Sequence, residues 1–207
     1  DDEKAQAIRT FIEENNTGYY LYLTPSTKRY YPFGALASQV LGFVNSEGGV
    51  YGLEAGYESI LKGVPGRVVT GRTAQNDELY NSYSNYVDAV NGYNLTLTID
   101  STIQSYAEQI LEKGIAAYDV RNGGVCIVAN PKTMEILAMA SSPDYDLNDP
   151  STVIDSVLQQ NLAELQEDES VSEEEYAAAL SQAQFQQWSN KCLNTEYEPG
   201  STFKPIV

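Results

Sequence analysis

Apolar residues recur along this chain at helical spacing in some stretches and at strand spacing in others. Over residues 3–15, Ala5, Ile8, Phe11 and Ile12 share one stripe and Asn15-Asn16-Thr17-Gly18 closes it, which predicts an N-terminal helix. YYLYL (19–23) is rich in strand formers. ALASQVLGFV (35–44) predicts a short helix running into the glycine-rich NSEGGVYG. Residues 53–62 predict another, with Glu58 and Lys62 at a supporting i, i+4 spacing. Residues 63–92 are polar and rich in Gly, Asn and Tyr, so they are expected to be irregular or short-stranded, with a domain boundary near 88–94.

The second half is patterned more sharply. NLTLTID (94–100) alternates as a strand does, and Asp100 or Ser101 is placed to cap the helix that follows, Ser101 and Gln104 fitting a capping box. Ile103, Ala107, Ile110, Leu111 and Ile115 form the apolar stripe of that helix. GGVCIVANPKTMEILAMASS (123–142) reads as two apolar strands around an Asn130-Pro131-Lys132-Thr133 turn, a hairpin. A second capping box, Ser172 with Glu175, opens a helix through EEEYAAALSQAQFQQW. Pro199-Gly200-Ser201 then turns into a helix beginning at the serine. The order is that of an α+β protein with an antiparallel sheet: residues 1–92 form one domain and residues 93–207 the start of a second.

Composition narrows the functions. Apolar residues make up 42% of 207, enough for a core, while 29 acidic against 12 basic residues give a net charge of -17. Such a surface repels a phosphate backbone, which excludes nucleic acid as partner. Cys126 and Cys192 match no zinc spacing; Cys126, inside GGVCIVA, reads as a small buried hydrophobe, and a single disulfide stays open. There is no histidine, so no Ser-His-Asp arrangement and no histidine metal ligand exists in these residues. No stretch reaches the roughly 18–20 apolar residues that span a bilayer, and DDEKAQAIRT has no signal-peptide character. The expectation is either a cytosolic protein or a chain without its native beginning.

One candidate nucleophile remains. Ser201 and Lys204 stand at i and i+3, which places both side chains on one helix face. A serine hydroxyl needs a base to take its proton, and lysine serves when burial and a helix N-terminus favour its neutral form. The unpaired N–H groups of a first helical turn suit an oxyanion. The spacing alone proves little: Ser59 and Lys62 share it with no such setting, and Ser201 could equally be an N-cap with a solvated lysine after it.

The surrounding residues change that balance. EPGSTFK resembles the active-site serine motif of the penicillin-binding proteins. RYYPFGALASQVLGFVN and GVYGLEAGYESILKGVPGR resemble the pedestal of the class B members, the membrane-anchored monofunctional transpeptidases. GYNLTLTIDSTIQSYAEQIL, VANPKTMEILAMASSPDYDLN and QWSNKCLNTEYEPGSTFKP resemble successive parts of their transpeptidase domain. The Glu/Gln-rich stretch 150–187 resembles an insert of Firmicutes members.

The resemblance implies a peptidoglycan D,D-transpeptidase that uses no cofactor and no metal. Ser201 would attack the stem peptide at D-Ala-D-Ala and Lys204 would act as base, with β-lactams as substrate mimics. It implies a glycosyltransferase partner and a place on the extracytoplasmic face of the cell membrane, through an anchor outside this chain. The family's S-x-N and K-[TS]-G motifs, which lie after the serine motif, do not occur in these 207 residues. The chain is therefore expected to be a segment cut after S-x-x-K and inactive alone. Two other readings stand beside this one: a β-lactamase or penicillin-sensing receptor, disfavoured by the pedestal-like residues 29–72, and a non-catalytic pedestal module that binds other cell-wall proteins.

Overall fold

A computed structural model describes residues 2–18, 20, 21, 23, 28–69, 85–168 and 170–206. Its contacts divide into two units, Asp1–Tyr30 and Tyr31–Val207. In the first, α1 (Asp2–Glu14) confirms the N-terminal helix, closed by the amide of Thr17 donating to the Ile12 carbonyl (3.1 Å). Tyr20, Leu21 and Leu23, the described residues of YYLYL, are in no strand. Strand propensity alone does not make a strand.

The second unit is built on a helix and a hairpin. In α5 (Ser101–Tyr118), Asp100 is the N-cap: its Oδ1 accepts from the amides of Thr102 (2.8 Å) and Ile103 (3.0 Å). β3 (Gly124–Ala129) and β4 (Ile136–Ser142) pair antiparallel around the predicted Asn130-Pro131-Lys132-Thr133 turn. Ala107 of α5 packs on Ala138 and Ala140 of β4, with Ile103, Leu111, Cys126 and Val128 around them. Alanine at the contact lets the helix lie close to the sheet. Cys126 is free and only partly buried against this core, short of the full burial expected, and Cys192 is also free.

A second core joins distant parts of the chain. Tyr31 and Phe43 bury against Tyr145 and Leu147, with Tyr51 and Trp188 packed around them. The Phe43 and Trp188 rings meet at 4.9 Å and 63°, an edge-on contact. Two short helices, α2 (Ser38–Leu41) and α3 (Gly52–Gly56), shape this side. Gly42, at φ 68°, is needed where these loops cross, because a Cβ there would strike the carbonyl of Tyr51.

Several sequence expectations need correction. The predicted helix 53–62 is split at Tyr57 into α3 and α4 (Glu58–Leu61), although Glu58 and Lys62 do pair at 2.9 Å. Residues 94–100 form no strand: the segment reaches β4 through Asp100 N–H to Leu137 O and Thr98 Oγ1 to Ile136 O. The Ser101–Gln104 capping box is absent because Asp100 is the N-cap, its carbonyl accepting from the Gln104 amide, and the Gln104 side chain turns inward. Ile110, placed in the apolar stripe, is exposed. Residues 64–69 and 85–90 do make the short-stranded structure expected there, β1 (Arg67–Val69) pairing with β2 (Asn85–Val87).

The acidic excursion is a helical pair. Its second helix, α7 (Glu173–Trp188), starts at the predicted capping box. Its first, α6 (Ser156–Glu167), was not anticipated; Asp155 caps it, and Leu162 buries against Ala183 of α7 with Val153.

Candidate active site

The approach to Ser201 is fixed by the hairpin. Asn190 caps α8 (Lys191–Asn194), its Oδ1 accepting from Cys192 N–H at 2.9 Å while its Nδ2 rests on Met139 Sδ at 3.4 Å. Lys191 Nζ donates to the carbonyls of Asn122 and Ser142, each at 3.0 Å. Cys192 Sγ donates to Ala140 O at 3.4 Å. α8 is thereby tied to the C-terminal half of β4 and to the residues just before β3. Burial lowers the Lys191 pKa and raises that of the Cys192 thiol; the hydrogen bonds to Asn122, Ser142 and Ala140 make both side chains structural fittings. Gly123 (φ 70°) makes room for this knot, since a Cβ there would meet Ser142 O and Lys191 Nζ.

Beyond α8 the chain runs through residues 195–199 without regular structure into a 3-10 helix, Gly200–Ile206. The helix expected at Ser201 is present, wound more tightly than an α-helix. In a 3-10 helix residues i and i+3 eclipse, so Ser201 and Lys204 project along one edge. Both are exposed, as is Phe203 between them. Ser201 lies at the N-terminal end, where backbone N–H groups lack helical partners. A candidate nucleophile, a candidate base and candidate oxyanion donors therefore occur within one short element.

A buried polar seam, invisible in the sequence, supports the hairpin on which α8 rests. Gln104 is wholly buried: its Nε2 donates to Met139 O (3.0 Å) and Glu108 Oε1 (2.7 Å), and its Oε1 accepts from Met139 N–H (2.7 Å). Glu108 also accepts from Ala37 N–H at 2.8 Å. Gln39 Nε2 donates to Pro143 O at 2.7 Å, and Asn148 pairs with both backbone groups of Tyr31. Among these groups burial raises the pKa of Glu108, and burial together with Glu112 and Glu108 pushes Asp144 up to about 6. Burial also raises Tyr145, whose hydroxyl donates to Ser38 O at 3.2 Å.

Residues 2–97 match the penicillin-binding protein dimerisation domain and residues 124–207 match the penicillin-binding protein transpeptidase domain. The chain belongs to the class B penicillin-binding proteins. Stage V sporulation protein D of Bacillus subtilis is 34% identical over 207 residues, covering all of this chain and 27% of the relative. Peptidoglycan D,D-transpeptidase FtsI of Buchnera aphidicola is 31% identical over 188 residues, 90% of this chain and 27% of the relative. The chain thus spans about a quarter of the length of the curated relatives it matches. Among solved structures, a peptidoglycan synthetase from Bifidobacterium adolescentis aligns with a TM-score of 0.51 and 30% identity, over 68% of this chain and 26% of that one. Penicillin-Binding Protein (PBP2) from Helicobacter pylori aligns at 0.50 and 25% identity, over 86% and 32%. The α+β class and the order of a dimerisation domain before a transpeptidase domain agree with the sequence reading. Among the described residues no helix is long and apolar enough to cross a membrane.

Proposed function

We propose that this penicillin-binding protein is a peptidoglycan D,D-transpeptidase in which Ser201 is the nucleophile and Lys204 its base. Ser201 Oγ attacks the carbonyl of the penultimate D-alanine of a stem peptide while Lys204 takes the hydroxyl proton. The bond between the two D-alanines breaks, the proton passes to the leaving amine, and the last D-alanine departs, leaving an ester on Ser201. The amino group of a neighbouring stem then attacks that ester, forms the cross-link and restores the serine. β-Lactams acylate Ser201 in the same first step.

The observation that carries this reading is the S-x-x-K edge of the 3-10 helix, inside EPGSTFK and within the transpeptidase match. The walls that would enclose Ser201 and Lys204, with the S-x-N and K-[TS]-G motifs, are assigned to the remaining length of the protein. These 207 residues by themselves are then inactive. Residues 1–92 serve as pedestal and 93–207 as the start of the catalytic domain. The protein works on the extracytoplasmic face of the membrane, held by an anchor outside these residues and beside a glycosyltransferase partner.

Intact-mass spectrometry of the full-length protein with benzylpenicillin tests the assignment. One adduct is expected, lost in Ser201→Ala and formed far more slowly in Lys204→Ala. An adduct that survives Ser201→Ala, or none on the parent protein, overturns it.

A further inference from the structure

The exposed face of α5 forms an open groove with the loop that carries Phe33, at a place none of the roles above uses. Its volume is about 520 Å³, inside the ~300–1,000 Å³ range of ligand pockets. Phe33 and Tyr106, 73% and 62% exposed, present their rings to it. The remaining wall is Leu36 and a row of neutral polar groups from α5: Ser101, Thr102, Ser105 and Gln109. Gln109 Nε2 donates to Ser105 Oγ at 3.1 Å, which orders the row while leaving the Gln109 amide oxygen and the serine proton available.

Two features define what such a groove accepts. No charged side chain lines it, in a chain of net charge -17. The helix N–H groups that would hold a phosphate or carboxylate are already taken by Asp100. An anionic ligand and a basic peptide both lack a counter-charge here. Two solvent-facing rings beside hydroxyl and amide groups suit a neutral polyhydroxylated ligand, whose C–H faces lie on the rings and whose hydroxyls bond the row. Phe33, Leu36 and Ser101 also border an adjoining, largely apolar cavity of about 150 Å³, room for a small apolar substituent on such a ligand.

We propose that this groove binds a neutral glycan strand bearing acetamido groups. Its site would be separate from the one at which Ser201 meets the stem peptide. The groove's chemistry stands alone; only the choice of an N-acetylated glycan rests on the peptidoglycan reading.

The test is a titration of the ¹⁵N-labelled chain with chitotetraose, followed by amide shifts. Saturable shifts confined to 101–109 and the Phe33 loop are expected, with Kd on the order of 1 mM. Phe33→Ala and Tyr106→Ala should each weaken binding by about fivefold or more, whereas Tyr106→Phe, which keeps the ring, should bind nearly as well. Raising the salt should leave the affinity unchanged, as for an uncharged ligand. Cellotetraose, which lacks the acetamido groups, should bind more weakly. Absence of saturable shifts, shifts elsewhere, or full binding by Tyr106→Ala in a spectrum otherwise like the parent's overturns the proposal. Equal binding of cellotetraose overturns the choice of glycan. Chitotetraose binding without a penicillin adduct on the full-length protein sinks the transpeptidase reading alone; an adduct without chitotetraose binding sinks the groove alone.

Discussion

Two regions of this protein stand in opposite relation to the β3–β4 hairpin. Residues 31–51 are fastened to it and its neighbours by buried aromatic rings and by side chains that satisfy backbone groups, Gln39 on Pro143 and Asn148 on Tyr31. The Ser201 element follows α8 after the irregular residues 195–199, and Ser201 and Lys204 are exposed. A fastened segment loses stability when a side chain is trimmed. An exposed candidate nucleophile, when trimmed, should lose chemistry and little else. The difference separates residues that build the platform from residues that use it.

The comparison breaks first at Ser201. Ser201→Ala should abolish the penicillin adduct on the full-length protein, yet change the urea-unfolding free energy of this chain by less than about 0.5 kcal/mol. A large stability loss would mean that the serine is a structural cap. Gln104→Ala should do the reverse. It strips both backbone groups of Met139 of their buried partner, and a loss of about 3 kcal/mol is expected in the same unfolding experiment. Gly123→Ala should cost about 2 kcal/mol, because it combines a positive φ with a clash on the Ser142 carbonyl and Lys191. Stability unchanged in Gly123→Ala would show that α8 is not pinned as described.

The smallest effect is a pH dependence. The folded-state pKa of Asp144, about 6, lies above its usual value near 3.8. Between those values the folded chain holds more protons than the unfolded one, so stability falls as pH rises from about 4 to 6 and stays low above that. Asp144 is partly open to solvent, so the penalty is on the order of 1 kcal/mol. Glu108 shifts in the same direction and adds to the slope. Asp144→Asn should flatten the profile measured by denaturation between pH 4 and pH 7.5. An unchanged slope would place the titration elsewhere.

What the sequence revealed follows from the range of each interaction. α7 was legible because its capping box is local, Ser172 and Glu175 holding each other within one turn. The hairpin was legible because a turn and two apolar runs suffice to define it. The segment 94–100 alternates like a strand yet forms none, since ladder pairing depends on a neighbour that no local pattern names. α6 went unseen because its acidic surface masks a short apolar edge that is buried only against α7. Ser201 and Lys204 were legible as a motif, not as geometry: their spacing is common, and the residues around them gave it meaning. The polar seam was illegible altogether. Nothing near Gln104 in sequence says that it serves Met139, 35 positions away.

Trp188 is the chain's sole tryptophan, and it sits among Phe43, Tyr51 and Phe185 with its Nε1–H donated to Pro150 O at 2.7 Å. Its emission is consequently a one-site optical gauge of whether residues 43–51 and α7 remain together. Loosening of that junction would shift the fluorescence to the red while the ellipticity of α5 stayed intact. The protein carries its own probe for asking whether its two halves come apart before they unfold.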